Sequence, residues 1–169
     1  INSQFVPVRV VDRSREDGQN ISVDLRVFHV ATHRLGLTRL YTAGKDKVRD
    51  LAHAVADDVY KYFTGERGIF SSRIVVTKQI GKTKHLFAMD VDGQRLTQIT
   101  DGSSLNLLPS ISPDGKDVLF TSFRRGTPEL YRMPILGGAA QLISGRQGLN
   151  TGGVASPDGR IALTLSQDG

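Results

Sequence analysis

The sequence predicts an α+β amino-terminal segment followed by a repeated all-β fold, and three observations carry that prediction. Strand-like alternation fills much of residues 5–43, and one amphipathic helical stretch follows it. From Arg73 onward only short strand-like runs appear, separated by turn signals. Within that second part the tetrapeptide Ser-Pro-Asp-Gly occurs twice, beginning at Ser112 and at Ser156, an interval of 44 residues.

The amino-terminal elements come in order. Residues 5–12, FVPVRVVD, are rich in β-branched residues and predict a strand, with Pro7 suited to a strand start or an edge. The turn cluster SREDGQN covers Ser14 to Asn20. In ISVDLRVFHV, Ile21, Val23, Leu25 and Val27 alternate with Ser22, Asp24 and Arg26, the pattern of a half-buried strand. After ATHRLG (Ala31 to Gly36), the stretch Leu37 to Ala43 predicts a third strand, making an antiparallel meander. The period then changes. Val48, Leu51, Val55, Val59, Tyr62 and Phe63 recur at helical spacing over Lys45 to Phe63, alanines support a helix, and Thr64-Gly65 ends it.

The second part predicts strands in RIVVTK, KHLFAMD, LTQIT, PSIS, DVLFTS, ELYRMP, AQLIS and RIALTLS. Shifting the sequence by 44 residues aligns more than the turn. Ile74-Val75-Val76-Thr77 falls on Val118-Leu119-Phe120-Thr121, Leu86-Phe87 on Leu130-Tyr131, Met89 on Met133 and Asn106 on Asn150, without a gap. A period of about 40 to 50 residues with four strands per unit marks a β-propeller blade. Each Ser-Pro-Asp-Gly suits a hairpin: Pro fixes φ, Asp bonds nearby amides and Gly takes positive φ. Residues 67–169 therefore hold about two blades, and propellers close with about 4 to 8. The expectation is a partial propeller, cut from a longer chain or completed by another, with possible self-association through an unpaired blade edge.

Composition bounds the function. The net charge of +5 is spread along the chain, with 11 basic and 9 acidic residues in 1–72 and 11 and 8 in 73–169. No basic run marks a nucleic-acid arm. The absence of cysteine excludes disulfides, zinc thiolates and thiol catalysis. No apolar run approaches the ~20 residues of a membrane span, and no signal segment opens the chain.

Catalytic and cofactor signatures are not found. His29, His33, His53 and His85 show no metal-site spacing. Asp90 to Gly93 predicts a hairpin turn, not a calcium loop. Asp57 and Asp58 are adjacent and so diverge on a helix, which predicts a solvated face instead of a carboxylate pair. Phe123 to Gly126, FRRG, is a basic hairpin tip, either an ordinary exposed loop or a surface for an acidic partner.

The chain resembles the TolB family of the Gram-negative Tol–Pal envelope system over nearly its whole length. Three features carry the resemblance. The strand pair ISVDLRVFHVATHRLGLTRLY leads into the helix VRDLAHAVADDVYKYFTG, the junction TGERGIFSSRIVV follows the family's passage into the first blade, and the two Ser-Pro-Asp-Gly blades come next. The resemblance implies that residues 1–66 are the carboxy-terminal half of an α/β domain and 67–169 the first blades of a six-bladed propeller. It implies a periplasmic scaffold with no enzymatic activity and no cofactor, serving outer-membrane integrity and cell division. The implied partners are the peptidoglycan-associated lipoprotein Pal, bound by propeller loops, and TolA, bound by an amino-terminal segment outside this sequence. Nucleic-acid binding and membrane insertion are not implied.

Family contacts with the lipoprotein sit on the loops that lead into Ser-Pro-Asp-Gly. Matching positions here are Leu149, Asn150, Thr151 and Gly152, with Asn106 and Leu107 in the preceding blade. Asn150 agrees with the family's Asn-x-Ala-Pro, Leu149 stands where His is often seen, and Gly152-Gly153 replaces Ala-Pro. The stretch LNLLP (Leu105 to Pro109) is either a partner patch or inter-blade packing. An alternative function is a propeller that gates a serine peptidase lying beyond residue 169. Sugar binding would favour an aromatic platform, and the chain has no Trp.

Overall fold

A computed structural model describes residues 8–12, 18–30 and 32–166. The chain divides into two compact units, 1–71 and 72–169. In the first, β1 (Val8–Asp12), β2 (Asn20–His29) and β3 (Arg34–Gly44) form an antiparallel meander in the order β1-β2-β3. Phe5 to Pro7 of the expected first strand, and most of the turn after it, lie outside the described residues. Strand β3 starts earlier than the alternation suggests, because Leu35 and Arg34 pair with Phe28 and His29 across a bulge. The alternation in β2 buries Leu25 and Val27 completely.

The helix α1 (Val48–Thr64) follows a short 3-10 turn at Lys45–Lys47. Gly65 closes it in the left-handed conformation, its N–H donating to Lys61 O at 2.9 Å. The helix is fastened to the sheet by polar contacts. Tyr41 Oη donates to Asp58 Oδ2 at 2.5 Å, Arg39 pairs with the same oxygen at 2.7 Å, and Tyr62 Oη lies 2.7 Å from His29 Nε2. Burial, then the bond to Asp58, pushes the Tyr41 hydroxyl pKa well above its ordinary value.

These contacts correct the expectation of a solvated Asp57–Asp58 face. Both side chains are half-buried and engaged, on different targets. Asp57 accepts from the backbone N–H of Phe70 at 2.7 Å and of Ser71 at 3.0 Å, fixing the segment that follows the helix. Their divergence on the helix holds, so no carboxylate pair forms.

Among its described residues the second unit contains three antiparallel sheets. The first is β4 (Arg73–Ile80), β5 (Thr83–Asp90) and β6 (Thr97–Gln98). The second is a four-stranded blade of β7 (Asn106–Ile111), β8 (Asp117–Ser122), β9 (Glu129–Pro134) and β10 (Gln141–Ser144). The third is the pair β11 (Leu149–Ala155) and β12 (Ile161–Ser166). Labelling the strands of a blade a to d in chain order, β7 to β10 are a to d of the complete blade. By the 44-residue repeat, β4 to β6 are b to d of the preceding one, and β11 and β12 are a and b of the next. The described strands are thus part of a propeller.

One core joins the first two sheets. Leu86, Ala88 and Ile99 pack with Val118, Phe120, Tyr131, Met133 and Ile135. Phe120 is fully buried, and its removal from water contributes about 1.5–3 kcal/mol. Residues aligned by the repeat hold equivalent register, Ile74 opposite Met89 as Val118 is opposite Met133, while the core draws Leu86 and Ala88 from one sheet and Tyr131 and Met133 from the next.

The two Ser-Pro-Asp-Gly turns join strands a and b, as their composition predicts. Gly115 N–H donates to Ser112 O at 2.8 Å, and Gly159 N–H to Ser156 O at 2.9 Å. Ser112 Oγ donates to Asp114 Oδ1 at 2.7 Å, and this bond, then the Lys116 amide, holds the Asp114 carboxyl below its ordinary pKa. The copies differ in one respect. Ser112 N–H donates to Asp117 O, whereas Ser156 N–H donates to Arg160 O, so the second turn is one residue shorter. The repeat is therefore gapless only as far as this turn.

Removing the carboxylate of Asp57 tests the junction. Asp57→Ala is expected to speed hydrogen exchange of the Phe70 and Ser71 amides by about tenfold, since each loses its only acceptor at the cost of about 1.4 kcal/mol. Unchanged exchange at both amides contradicts this role.

Candidate functional site

Successive strands of a blade are antiparallel, so the b–c hairpins share one end of the blades with the d-to-a connections. All six residues expected to meet a partner lie at or near this end, in the first turns of β7 and β11. The structure separates them into two groups. Asn106 and Asn150 are completely buried. Leu107 and Thr151 are half-buried, and Leu149 and Gly152 are exposed.

Asn150 acts as an internal clip. Its Oδ1 accepts from Ser144 Oγ at 2.7 Å and from Arg146 N–H at 3.0 Å. Its Nδ2 donates to Arg146 O at 2.7 Å, with longer approaches to Gly148 O at 3.3 Å and Pro128 O at 3.4 Å. The backbone N–H of Asn150 also donates to Pro128 O at 3.2 Å. One side chain thus closes the connection 145–149 on itself and ties strand a of the third sheet to the b–c hairpin of the second. Asn106 repeats the arrangement one blade earlier, its Nδ2 donating to Lys84 O at 3.1 Å and Ser104 O at 3.4 Å. A parallel bridge between Lys84 and Leu105 runs beside it. Asn106 Oδ1, unlike that of Asn150, is buried with no hydrogen-bond partner among the described residues.

The outward surface at this end is carried by other side chains. Both a strands bulge at equivalent positions, between Leu107 and Ser110 and between Thr151 and Val154. Gly152 takes φ +68° at one bulge, and Leu108, 44 residues earlier, takes φ +51° at the other. Gly accepts that conformation freely, whereas Leu is strained there by about 1–2 kcal/mol. The strained Leu108 is 57% exposed and Leu149 is 44% exposed. Of LNLLP, Leu105, Leu107 and Pro109 are half-buried, so Leu108 alone projects fully. Sequence reasoning named Leu107 singly and Leu108 only as part of the stretch LNLLP. The signal that identifies Leu108 is its register with Gly152.

The adjacent hairpin is braced from inside. Tyr131 Oη donates to Glu129 Oε2 at 2.6 Å, and Arg125 Nη1 lies 3.5 Å from Glu129 Oε1. The Arg124 guanidinium stacks over the Tyr131 ring at 4.4 Å from its centre. Burial, then the bond to Glu129, raises the Tyr131 hydroxyl pKa. Thr151 Oγ1 lies 3.0 Å from Thr121 Oγ1, which also accepts from Gly152 N–H at 3.3 Å. The arrangement offers rigid loops with apolar and basic tips. No three His, Asp or Glu ligand atoms converge at this end among the described residues.

The family model for the TolB beta propeller domain matches residues 60–169. The chain belongs to the TolB β-propeller family. Two curated relatives named Tol-Pal system protein TolB, from Anaeromyxobacter dehalogenans strain 2CP-C and Anaeromyxobacter sp. strain K, are each 35% identical over 156 residues, which is 92% of this chain. The chain spans 36% of the length of those TolB relatives. The crystal structure of TolB from Acinetobacter baumannii matches 97% of this chain and 63% of its own, with a TM-score of 0.50 at 19% identity. That likeness supports the propeller fold. No helix among the described residues is long and apolar enough to cross a membrane.

Two substitutions separate clip from surface. Asn150→Ala leaves the Arg146 N–H and O and the Ser144 hydroxyl without their partner, and is expected to lower stability by about 1–3 kcal/mol, read as a fall in Tm. Leu108→Gly is expected to leave Tm unchanged or raise it, because relief of about 1–2 kcal/mol of strain offsets glycine's entropic cost of about 0.5–1 kcal/mol. A stable Asn150→Ala protein, or a marked loss of stability in Leu108→Gly, contradicts the assignment.

Proposed function

We propose that this chain is part of a periplasmic, non-enzymatic scaffold of the Tol–Pal system, binding the peptidoglycan-associated lipoprotein at the end of the blades where strands β7 and β11 begin. The observation that carries this reading is the likeness, over nearly the whole chain, to relatives named for that system. On this reading residues 1–66 end an amino-terminal α/β domain, and 67–169 supply the blades that present the binding loops. TolA, engaged elsewhere in the parent protein, completes the link across the envelope, and the linkage supports outer-membrane integrity and cell division.

The site geometry supports recognition without chemistry. Clipped loops lose little conformational freedom when a partner binds, so more of the contact energy appears as affinity. In this reading Asn106 and Asn150 hold the loops in place. Leu149 makes contact beside Leu108, and the half-buried Leu107, Thr151 and the bulge at Gly152 shape the surface between them.

Binding of the lipoprotein's soluble domain to the full-length protein tests the proposal. Leu149→Gln, which removes an exposed apolar contact without adding charge, is expected to weaken binding about tenfold, or about 1.4 kcal/mol, at unchanged Tm. No binding of the unaltered protein by calorimetry at micromolar concentrations rules the proposal out.

A further inference from the structure

The basic and acidic residues of the second unit are interspersed along the sequence, but the fold sorts them. At the end formed by the a–b and c–d turns, each described carboxylate is engaged. Asp90 pairs with Arg95 at 2.7 Å, Asp117 with Arg132 at 2.5 Å and Asp158 with Arg160 at 2.7 Å. Asp114 accepts from Ser112 Oγ and the Lys116 amide, and Asp92 from the Gln94 amide. That end is close to neutral.

The opposite end, where the candidate site lies, is different. Its b–c hairpins and d-to-a connections carry Lys82, Lys84, Arg124, Arg125 and Arg146. The described carboxylates there are Asp101, which is exposed, and Glu129, whose side chain is only 6% exposed and is held by Tyr131 and Arg125. Lys82, Lys84, Arg124 and Arg146 enter no ion pair among the described residues.

These charges are mounted on fixed backbone. The clip at Asn106 holds the Lys84 carbonyl, and the clip at Asn150 holds both the amide and the carbonyl of Arg146. Arg124 lies over the Tyr131 ring and donates through Nε to Ser122 Oγ at 3.2 Å. Unpaired cations on rigid supports keep their field directed outward, which accelerates capture of an oppositely charged partner by about 10 to 1,000-fold. Exposed Leu149 closes the connection that carries Arg146, and exposed Leu108 sits at the bulge of β7 toward the same end. Apolar contacts within a charged rim characterise protein–protein interfaces, whereas polyanion grooves are lined by charge and stacking aromatics.

We propose that this end of the blades is a docking surface for an acidic protein face. Cations on the hairpins and connections steer the encounter, and Leu108 and Leu149 supply contact. The proposal rests on the reading above that a protein binds at this end, and adds the chemistry of that partner.

Two probes applied to the full-length protein test it. Poly-L-glutamate is titrated into isotope-labelled protein and followed by amide chemical shifts, with duplex DNA of matched charge as the rival polyanion. Shifts are expected at Gly81 to Lys84, Arg124 to Gly126 and Arg146 to Leu149. Lys82→Glu with Arg146→Glu is expected to weaken binding at least about tenfold at unchanged Tm. Shifts spread over both ends, or tighter binding of DNA than of poly-glutamate at physiological salt, overturn the proposal.

The second probe is the soluble domain of the peptidoglycan-associated lipoprotein. Its association rate is expected to fall with added salt, and to fall about tenfold in the double variant at low salt, with little change in dissociation. Equal, salt-independent association with both proteins overturns the proposal while leaving the scaffold reading intact. If the lipoprotein binds neither protein while poly-glutamate still maps to this end, the scaffold reading fails and the acidic docking surface stands.

Discussion

The buried asparagine at the start of strand a is the contact on which the blade arrangement turns. Apolar packing between sheets is non-directional, so it draws two blades together without fixing where one strand begins relative to its neighbour's hairpin. An amide offering two donors and an acceptor in one plane does fix it. Asn150 meets three backbone carbonyls, one amide and one hydroxyl within its own connection and the preceding blade. Asn106 occupies the same position 44 residues earlier and reaches the corresponding carbonyl, Lys84 O in place of Pro128 O. Because the Asn150 side chain is buried with both its oxygen and its nitrogen bonded, a missing bond there leaves an unsatisfied group, and that penalty gives the position its specificity.

The outer surface inherits this rigidity. The bulges just after the asparagines turn Leu108 outward and let the third sheet pass Thr121 through Gly152 and Thr151. The hairpin between β8 and β9 is braced by Glu129, Tyr131 and two arginines, and a buried carboxylate is stabilised there by a hydroxyl and a guanidinium. A surface built this way has loop chemistry on scaffold-like supports, an arrangement suited to binding. Residues matched to the family's binding loop therefore serve different purposes. The asparagines shape the loop, and the leucines and cations are what a partner meets.

Much of the fold was legible because its signals are local or periodic. The helix was readable from apolar spacing and Gly65, and the blades from a repeat whose aligned residues take the same register in successive sheets. What was missed has physical causes. Strand β11 gave little strand signal, because Gly152 and Gly153 sit in its middle and Gly disfavours strands. Its ladder is formed with β12 in the same sheet, as β7 pairs with β8 one blade earlier. The one-residue difference between the two Ser-Pro-Asp-Gly turns lies in the residues after glycine, where the motif no longer constrains the chain. Asp57 and Asp58 looked solvated because their partners are the backbone at Phe70 and Ser71 and side chains on β3, neither visible in helical periodicity. The concentration of cations at one end was invisible for the same reason. The pair Lys82 and Lys84, Arg124, and Arg146 sit in three stretches far apart in sequence, and only the alternation of strand direction puts these on one side.

The most direct measurement is hydrogen exchange at the Arg146 amide in the full-length protein. Its acceptor is the Oδ1 of Asn150, with no strand partner to share the role. An amide in a surface connection ordinarily exchanges close to the open-chain rate. If the asparagine clip orders the connection, Arg146 exchanges slowly, with protection comparable to the Asn150 amide bonded to Pro128 O. Exchange of Arg146 at the rate of an open loop, while Asn150 remains protected, would show that the connection is held by strand pairing alone and contradict the account.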